Sequence, residues 1–337
     1  MPWYQETLTD ETSILSSRVR LARNIKKYPF KRKLTPANAA EMTAEVIGAA
    51  TLSHCYFHQL DVLGISETEK KFFLERHILS HEFIKDNLPK GLLISESENI
   101  SIMINEEDHV RIQSIEPGKN LTDAYKTAVQ IDDLIEERIE FAFHTDYGYL
   151  TSCPTNTGTG LRASYMIHLP CLDKSDTIKT LLPHIAKFGV TLRGTYGEGT
   201  APMGSIYQIS NQTTMGKSEE DIISNLQNVT ENVIGQEKKA LEKILSTRRE
   251  YLEDSIYRAY GILSNCRQIS AAEAMNLLSD IRMGYLTQIL DKPKPQKQIY
   301  QVMMEIQPGH LQRRAGTEMT DQERDIARAK YLRELFA

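Results

Sequence analysis

The sequence predicts an α+β protein, in which a mainly antiparallel β-sheet is flanked by helices and followed by a helical C-terminal domain. Three observations carry this. Ile100, Ile102 and Ile104 alternate with Ser101 and Met103, and Val110 and Ile112 flank Arg111, so two strands enclose the polar Asn105-Glu106-Glu107-Asp108 as a hairpin with an acidic tip. Strand-like pieces at 149–153, 190–193 and 205–210 alternate with Gly-rich turns, as hairpin-linked strands do. From about Ser218 the strand signals fade and long helical patterns run to the end.

Taken in order, the first third, to about Ile94, reads as helical pieces between short loops. Pro36 opens one helix through Glu41, and Ser66 with Glu69 has capping-box spacing for another. After the hairpin comes a helix capped by Asn120 or Thr122, with Leu121, Tyr125, Ala128, Leu134, Ile135 and Ile139 as its apolar stripe. Further on, Leu241, Ile244, Leu245, Leu252 and Ile256 mark one helix. Ser270 with Glu273 and Thr320 with Glu323 cap two more, and 291–296 is a polar, Pro-stiffened loop.

Composition narrows the function. The 337 residues carry 45 acidic and 40 basic side chains, a formal charge of -5, so no global positive field draws nucleic acid or anionic lipid. Hydrophobic residues make up 40 %, enough for a sizeable core. No run reaches the roughly 18 apolar residues of a membrane helix, and MPWYQETLTDE lacks the pattern of a signal peptide; a cytoplasmic protein is expected. Cys55, Cys153, Cys171 and Cys266 are widely spaced and read as reduced thiols. His54 with His58 and His77 with His81 stand at i,i+4 but form no H-E-x-x-H, so no metal site is expected.

Neither a P-loop nor a dinucleotide fingerprint is present, so phosphate binding falls to arginines beside Gly- or Ser-rich turns: Arg18, Arg20, Arg111, Arg162 and Arg193. Arg18 and Arg20 would share one face of a strand, and such a cluster suits a polyphosphate. The basic run from Arg18 to Lys33, with Tyr28 and Phe30 as its aromatics, also fits a nucleic-acid patch or a rim for an acidic protein. Glu107 at the hairpin tip and Glu198 in a Gly-rich loop are the complementary half. A guanidinium fits two carboxylates, because its pKa above about 12 obliges it to shed a proton as it attacks. Cys153 stands at a strand end beside a turn, where it is either a thiolate activated by nearby arginines or a structural thiol.

Together, the segments at 16–20, 105–111, 153–164 and 193–198 resemble the phosphagen kinases, the creatine and arginine kinase superfamily, and lie in that family's order. The resemblance implies a phosphagen-kinase-like saddle of antiparallel strands flanked by helices, and ATP-dependent phosphorylation of a guanidinium nitrogen with Mg²⁺ held mainly through the nucleotide phosphates. It implies that the five arginines and His77 contact the nucleotide, with Ser16, Ser17, Val19, Ala163, Ser164, Tyr165, Met166, Gly194, Thr195, Tyr196, Gly197 and Glu198 completing that site. Glu107 and Glu198 would orient and deprotonate the guanidinium, and Cys153 matches the reactive thiol.

Three departures refine it. Fifteen residues precede Ser16, where small-guanidine kinases carry a helical domain that helps enclose the substrate; an open site for a macromolecular substrate is expected. Gln208 replaces the usual Asp, and the helical C-terminal extension is foreign to those kinases. All three are similar to the bacterial McsB family of protein-arginine kinases. That resemblance implies a catalytic domain over 1–240 and a C-terminal domain over 241–337 for homodimerisation and for allosteric phosphoarginine binding by Arg324, Asp325, Arg328 and Ala329. It further implies marking of proteins for a Clp protease, inactivation of the heat-shock repressor CtsR, and an activator, McsA. A free-guanidine kinase and a non-catalytic phosphoarginine-binding adaptor are the alternatives.

Overall fold

The computed structural model describes residues 2–5, 12–51, 56–194 and 202–337. After a 3-10 turn at Trp3–Gln5 the elements are β1 (Ile14–Arg23), a second 3-10 turn at Lys31–Lys33, α1 (Pro36–Thr51), β2 (Phe57–Leu60), α2 (Glu67–Glu75), β3 (Gly91–Ser95), β4 (Ile100–Ile104), β5 (Val110–Pro117) and α3 (Leu121–Glu136). There follow β6 (Phe143–His144), β7 (Gly148–Tyr149), β8 (Leu161–His168), α4 (Pro170–Lys174), α5 (Thr177–Ala186), β9 (Val190–Gly194) and β10 (Ile206–Asn211). The remainder is helical: α6 (Glu219–Thr247), α7 (Arg249–Asn265), α8 (Ala271–Leu286), α9 (Ile299–Glu305), α10 (Pro308–Ala315) and α11 (Asp321–Phe336).

Eight strands form one sheet in the order β2-β3-β4-β5-β1-β8-β10-β9, with antiparallel neighbours throughout. The expected α+β class and the acidic-tipped β4–β5 hairpin are both present. The first third, read as helical pieces apart from a strand carrying Arg18 and Arg20, also holds β2 and β3; β1, which carries the two arginines, lies between β5 and β8 in the middle of the sheet. Only Arg18 to Leu21 alternate between half-buried and buried; the residues on either side of them in β1 are buried on both faces, so the alternating stretch is short. The strand expected at 149–153 ends at Tyr149, beyond which the chain runs as a loop.

Residues directly opposed across a strand pair share a face of the sheet. Val19, Leu21, Ile112, Ala163, Tyr165, Ile167 and Ile209 pack on one face with α1, α3, α5 and α6 as the main core. The opposite face carries Arg18, Arg20, Arg111, Arg162 and Arg193. A register shift between Ile14 and Ser16 turns Leu15 away from the main core and into a second one.

That second core belongs to the C-terminal helices, joined by Trp3, Tyr4, Ile115 and Met166. The pattern read as one helix from Leu241 to Ile256 is two, because Arg248 leaves helical geometry at φ -146° and ψ 39°. The break lets α6 lie on the sheet while α7 packs against α8 and α11. Residue 240 therefore lies inside α6. The capping boxes at Ser66 and Thr320 are formed as expected. Asn120 precedes α3, but its side chain turns back to donate to the Pro117 carbonyl at 2.7 Å and makes no cap.

Candidate active site

The sheet register brings the arginines together. On β1, Arg20 stands directly opposite Arg162 of β8 on one side and Gln113 of β5 on the other, while Ala22 faces Arg111. At the far edge Gln208 of β10 lies between Arg193 of β9 and Met166 of β8. Like charges directly opposed in a ladder are unfavourable unless an anion lies between them. Burial, then Arg162 and Arg111, pushes the Arg18 guanidinium down to about 10, and burial with Arg18, Arg111 and Arg162 moves Arg20 in the same direction. A polyphosphate would relieve this stored repulsion.

Two hollows share Arg20 and Arg162 as their common wall. The first, about 250 Å³, is lined by Arg18, Arg193, Gln208 and, from the opposite bank, His77, Ser80 and His81. The second, about 140 Å³, holds Glu107, Arg111, Cys153 and Asn156. His77 follows α2 in a left-handed conformation, φ 59°, and Gln113 Nε2 donates to its carbonyl at 2.6 Å. Burial first, then Arg18 and Arg20, hold its imidazole down at about 3, so it faces the hollow neutral.

The hairpin tip is rigid for identifiable reasons. Asn105 takes φ 66°, its N–H donates to the His109 carbonyl at 2.8 Å, and Glu106 N–H donates to the Asp108 carbonyl at 3.1 Å. Asp108 Oδ1 is buried and accepts from Asn24 Nδ2 at 2.7 Å and from Ser152 N–H at 2.6 Å. His109 Nδ1 accepts from Ile25 N–H at 3.0 Å, which leaves Nε2–H to donate to the Pro29 carbonyl at 3.1 Å. The loop carrying Cys153 is thereby tied to the residue beside Glu107. Cys153 Sγ lies 3.0 Å from Thr155 Oγ1. Burial raises the Glu107 carboxyl, opposed by Arg111, whose Nη2 is 3.4 Å from Glu107 Oε2.

Of the residues singled out in the sequence, Arg18, Arg20, His77, Arg111, Arg162, Arg193, Glu107 and Cys153 thus meet around one groove. Ser16, Ser164 and Met166 share the arginine face by register. Strand alternation turns the side chains of Ser17, Val19, Ala163 and Tyr165 the other way, toward the helical layer. Val19, Ala163 and Tyr165 lie in the main core, and Ser17 Oγ donates to the Gly118 carbonyl at 2.7 Å. Gly194 faces Tyr207 in the β9–β10 pair. Thr195, Tyr196, Gly197 and Glu198 lie outside the described residues.

Arg324, Asp325, Arg328 and Ala329 share α11, and none of them lines either hollow. Arg328 is turned inward: its side chain is 2 % exposed, and it donates to Asp325 Oδ1 at 2.5 Å and to the carbonyls of Ile269 and Ile306. Arg324 donates to the Met319 carbonyl and pairs with Asp321. Sequence reasoning missed Gln113, Ser210 and Glu106. The first two follow Arg111 and Gln208 by two positions, which on a strand means the same face. Glu106 is completely buried beneath the hairpin tip, a placement that its acidic surroundings do not suggest.

Residues 39–240 match the family model for the ATP:guanido phosphotransferase C-terminal catalytic domain, and residues 249–337 match that for the protein-arginine kinase McsB C-terminal domain. The chain is 42 % identical to the protein-arginine kinase of Geobacillus sp. (strain WCH70), over 98 % of this chain and 92 % of that one. It is 41 % identical to that of Halothermothrix orenii, over 95 % and 92 %. Among solved structures it is similar to lombricine kinase, with a TM-score of 0.62, 25 % identity and coverage of 71 % and 69 %. The duplicated taurocyamine kinase from Schistosoma mansoni with bound transition state analog components gives 0.64 and 25 %, covering 77 % of this chain and 40 % of that one. Both parts of the chain, and its relatives along nearly the whole length, lead to one conclusion: it belongs to the protein-arginine kinase family and is a guanidino phosphotransferase.

Proposed function

We propose that the groove binds ATP along its arginine stripe and presents the γ-phosphoryl group, across the Arg20–Arg162 wall, to an arginine side chain of a protein substrate held by Glu107 and Glu198. The observation that carries this is the common wall itself: the anion-binding hollow and the carboxylate-bearing hollow meet at two arginines. In the transfer, a guanidinium nitrogen forms the N–P bond, the bond from Pγ to the bridging oxygen of ADP breaks, and the nitrogen's proton passes to a carboxylate. Phosphoryl transfer depends on positioning and charge neutralisation, which a rigid hairpin tip and five arginines supply. Mg²⁺ would ride on the nucleotide phosphates. Bound there, it would neutralise phosphate charge.

The same reading extends to a cytoplasmic enzyme whose targets include the repressor CtsR and proteins destined for a Clp protease, with McsA as activator. Its homodimerisation and phosphoarginine binding through 249–337 draw support from the match of that segment to the family's C-terminal domain. Incubation with ATP and Mg²⁺ plus either an arginine-rich protein or free arginine, followed by assay of acid-labile phosphate, tests the central claim. Phosphate on protein arginine is expected; transfer confined to free arginine would refute it.

A further inference from the structure

Arg111 lies between two carboxylates. Its Nη1 is 2.5 Å from Glu106 Oε1, whereas its Nη2 is 3.4 Å from Glu107 Oε2. The Glu106 side chain is fully buried and that of Glu107 is 39 % exposed. Glu106 also accepts from Ser80 Oγ on the opposite bank, and its second oxygen accepts the backbone N–H of Glu107 at 2.7 Å. Ser80 is itself fixed, accepting from Phe83 N–H at 3.1 Å. One carboxylate thus grips the arginine, the backbone of the neighbouring glutamate and the far wall together.

Geometry dictates what would follow without that grip. A guanidinium this close to two carboxylates goes to whichever it reaches best, and charge-assisted bonds of this kind are strong. Were Glu106 unable to hold it, Arg111 would close onto Glu107, the carboxylate assigned above to the substrate. The substrate guanidinium would then compete with an internal one for the same oxygens. We propose that Glu106 is a positioning residue that holds Arg111 off Glu107 and so keeps the Glu107 carboxylate open to the substrate guanidinium. The proposal rests on the reading of Glu107 given above, and goes beyond it by assigning the buried neighbour a role in substrate binding.

The test is a double-mutant cycle read by binding rather than turnover. The affinity of an arginine-containing peptide is measured calorimetrically in the presence of ADP and Mg²⁺, for the parent, E106Q, R111Q and E106Q/R111Q. E106Q is expected to weaken peptide binding about tenfold, the loss of one charge-assisted contact. R111Q removes the competitor, so in that background E106Q is expected to cost nothing further. Parent-like affinity in E106Q, or the same loss with and without Arg111, would overturn the proposal. E107Q keeps the two claims apart: undiminished peptide binding there sinks the assignment of Glu107, whereas weakened binding in E107Q alone sinks only the role of Glu106. If E106Q does not fold, S80A removes one of the donors that hold Glu106 without a change of charge. A weakening of two- to threefold is then expected, and parent-like binding would count against the proposal.

Discussion

Strand alternation decided which residues of each motif face the groove. The motif around Arg18 and Arg20 was legible because both side chains recur at the spacing of one strand face. What contiguous sequence could not convey was that Ser17, Val19, Ala163 and Tyr165, interleaved with them, belong to the other face. Glu106 was hidden for a different reason: nothing local distinguishes two adjacent glutamates, and only the cross-strand reach of Arg111 separates a buried grip from a half-open carboxylate. Burial raises Glu107 above the ordinary glutamate value near 4.5. Its proton-accepting form is therefore lost at a higher pH than a solvated glutamate would lose it. The acid limb of kcat/KM, measured with saturating ATP, is expected to lie above about 4.5.

At the scale of elements, the strongest signals were those that are local. The capping boxes of α2 and α11, the Pro start of α1 and the β4–β5 hairpin are each written within a few residues. The junction between α2 and α10 is not. Glu75, at the end of α2, accepts from Gly309 N–H at 2.7 Å and from His310 N–H at 3.1 Å, which places a carboxylate at the N-terminus of α10. Two residues beyond Glu75 lies His77, on the bank of the groove. The helices approach so closely that a Cβ at Gly309 would lie 2.6 Å from Phe72 N. Gly309→Ala is expected to force α10 off α2 and to lower stability by about 1–3 kcal/mol, as overpacking does. Chemical denaturation measures the loss, and a parallel rise in KM for ATP would follow displacement of the His77 segment.

For the whole molecule, the helical C-terminal region was evident from the fading of strand signals, but not how it joins the sheet. Arg282 of α8 donates to His168 Nδ1 of β8 at 2.8 Å and to the Thr12 carbonyl at 2.5 Å, and the imidazole's Nε2–H is left to donate to Ser279 Oγ at 2.7 Å. Partners 114 positions apart leave no local trace in a sequence. Burial, with Arg282 and Lys174, moves His168 well below its ordinary value, so it stays neutral in the folded protein. Above the unfolded pKa of about 6.5 neither state is charged there and this site has no pH dependence. Below it, the unfolded chain takes up a proton that the folded one refuses, and stability falls by up to about 1.4 kcal/mol per pH unit. Urea titrations at pH 7.5 and 5.5 are expected to show that loss, reduced when the same pair is run on His168→Gln. The facing Arg20 and Arg162 have a consequence of another kind. Their mutual repulsion opposes folding, so a polyanion between them acts as a folding ligand as well as a substrate. At a hundred times its dissociation constant, such a ligand adds about 2.7 kcal/mol to the folded state. Melting temperature should therefore climb with phosphate count, from AMP through ADP to ATP, and adenosine should leave it unmoved; the heat tolerance of this enzyme would then track the energy charge of its surroundings.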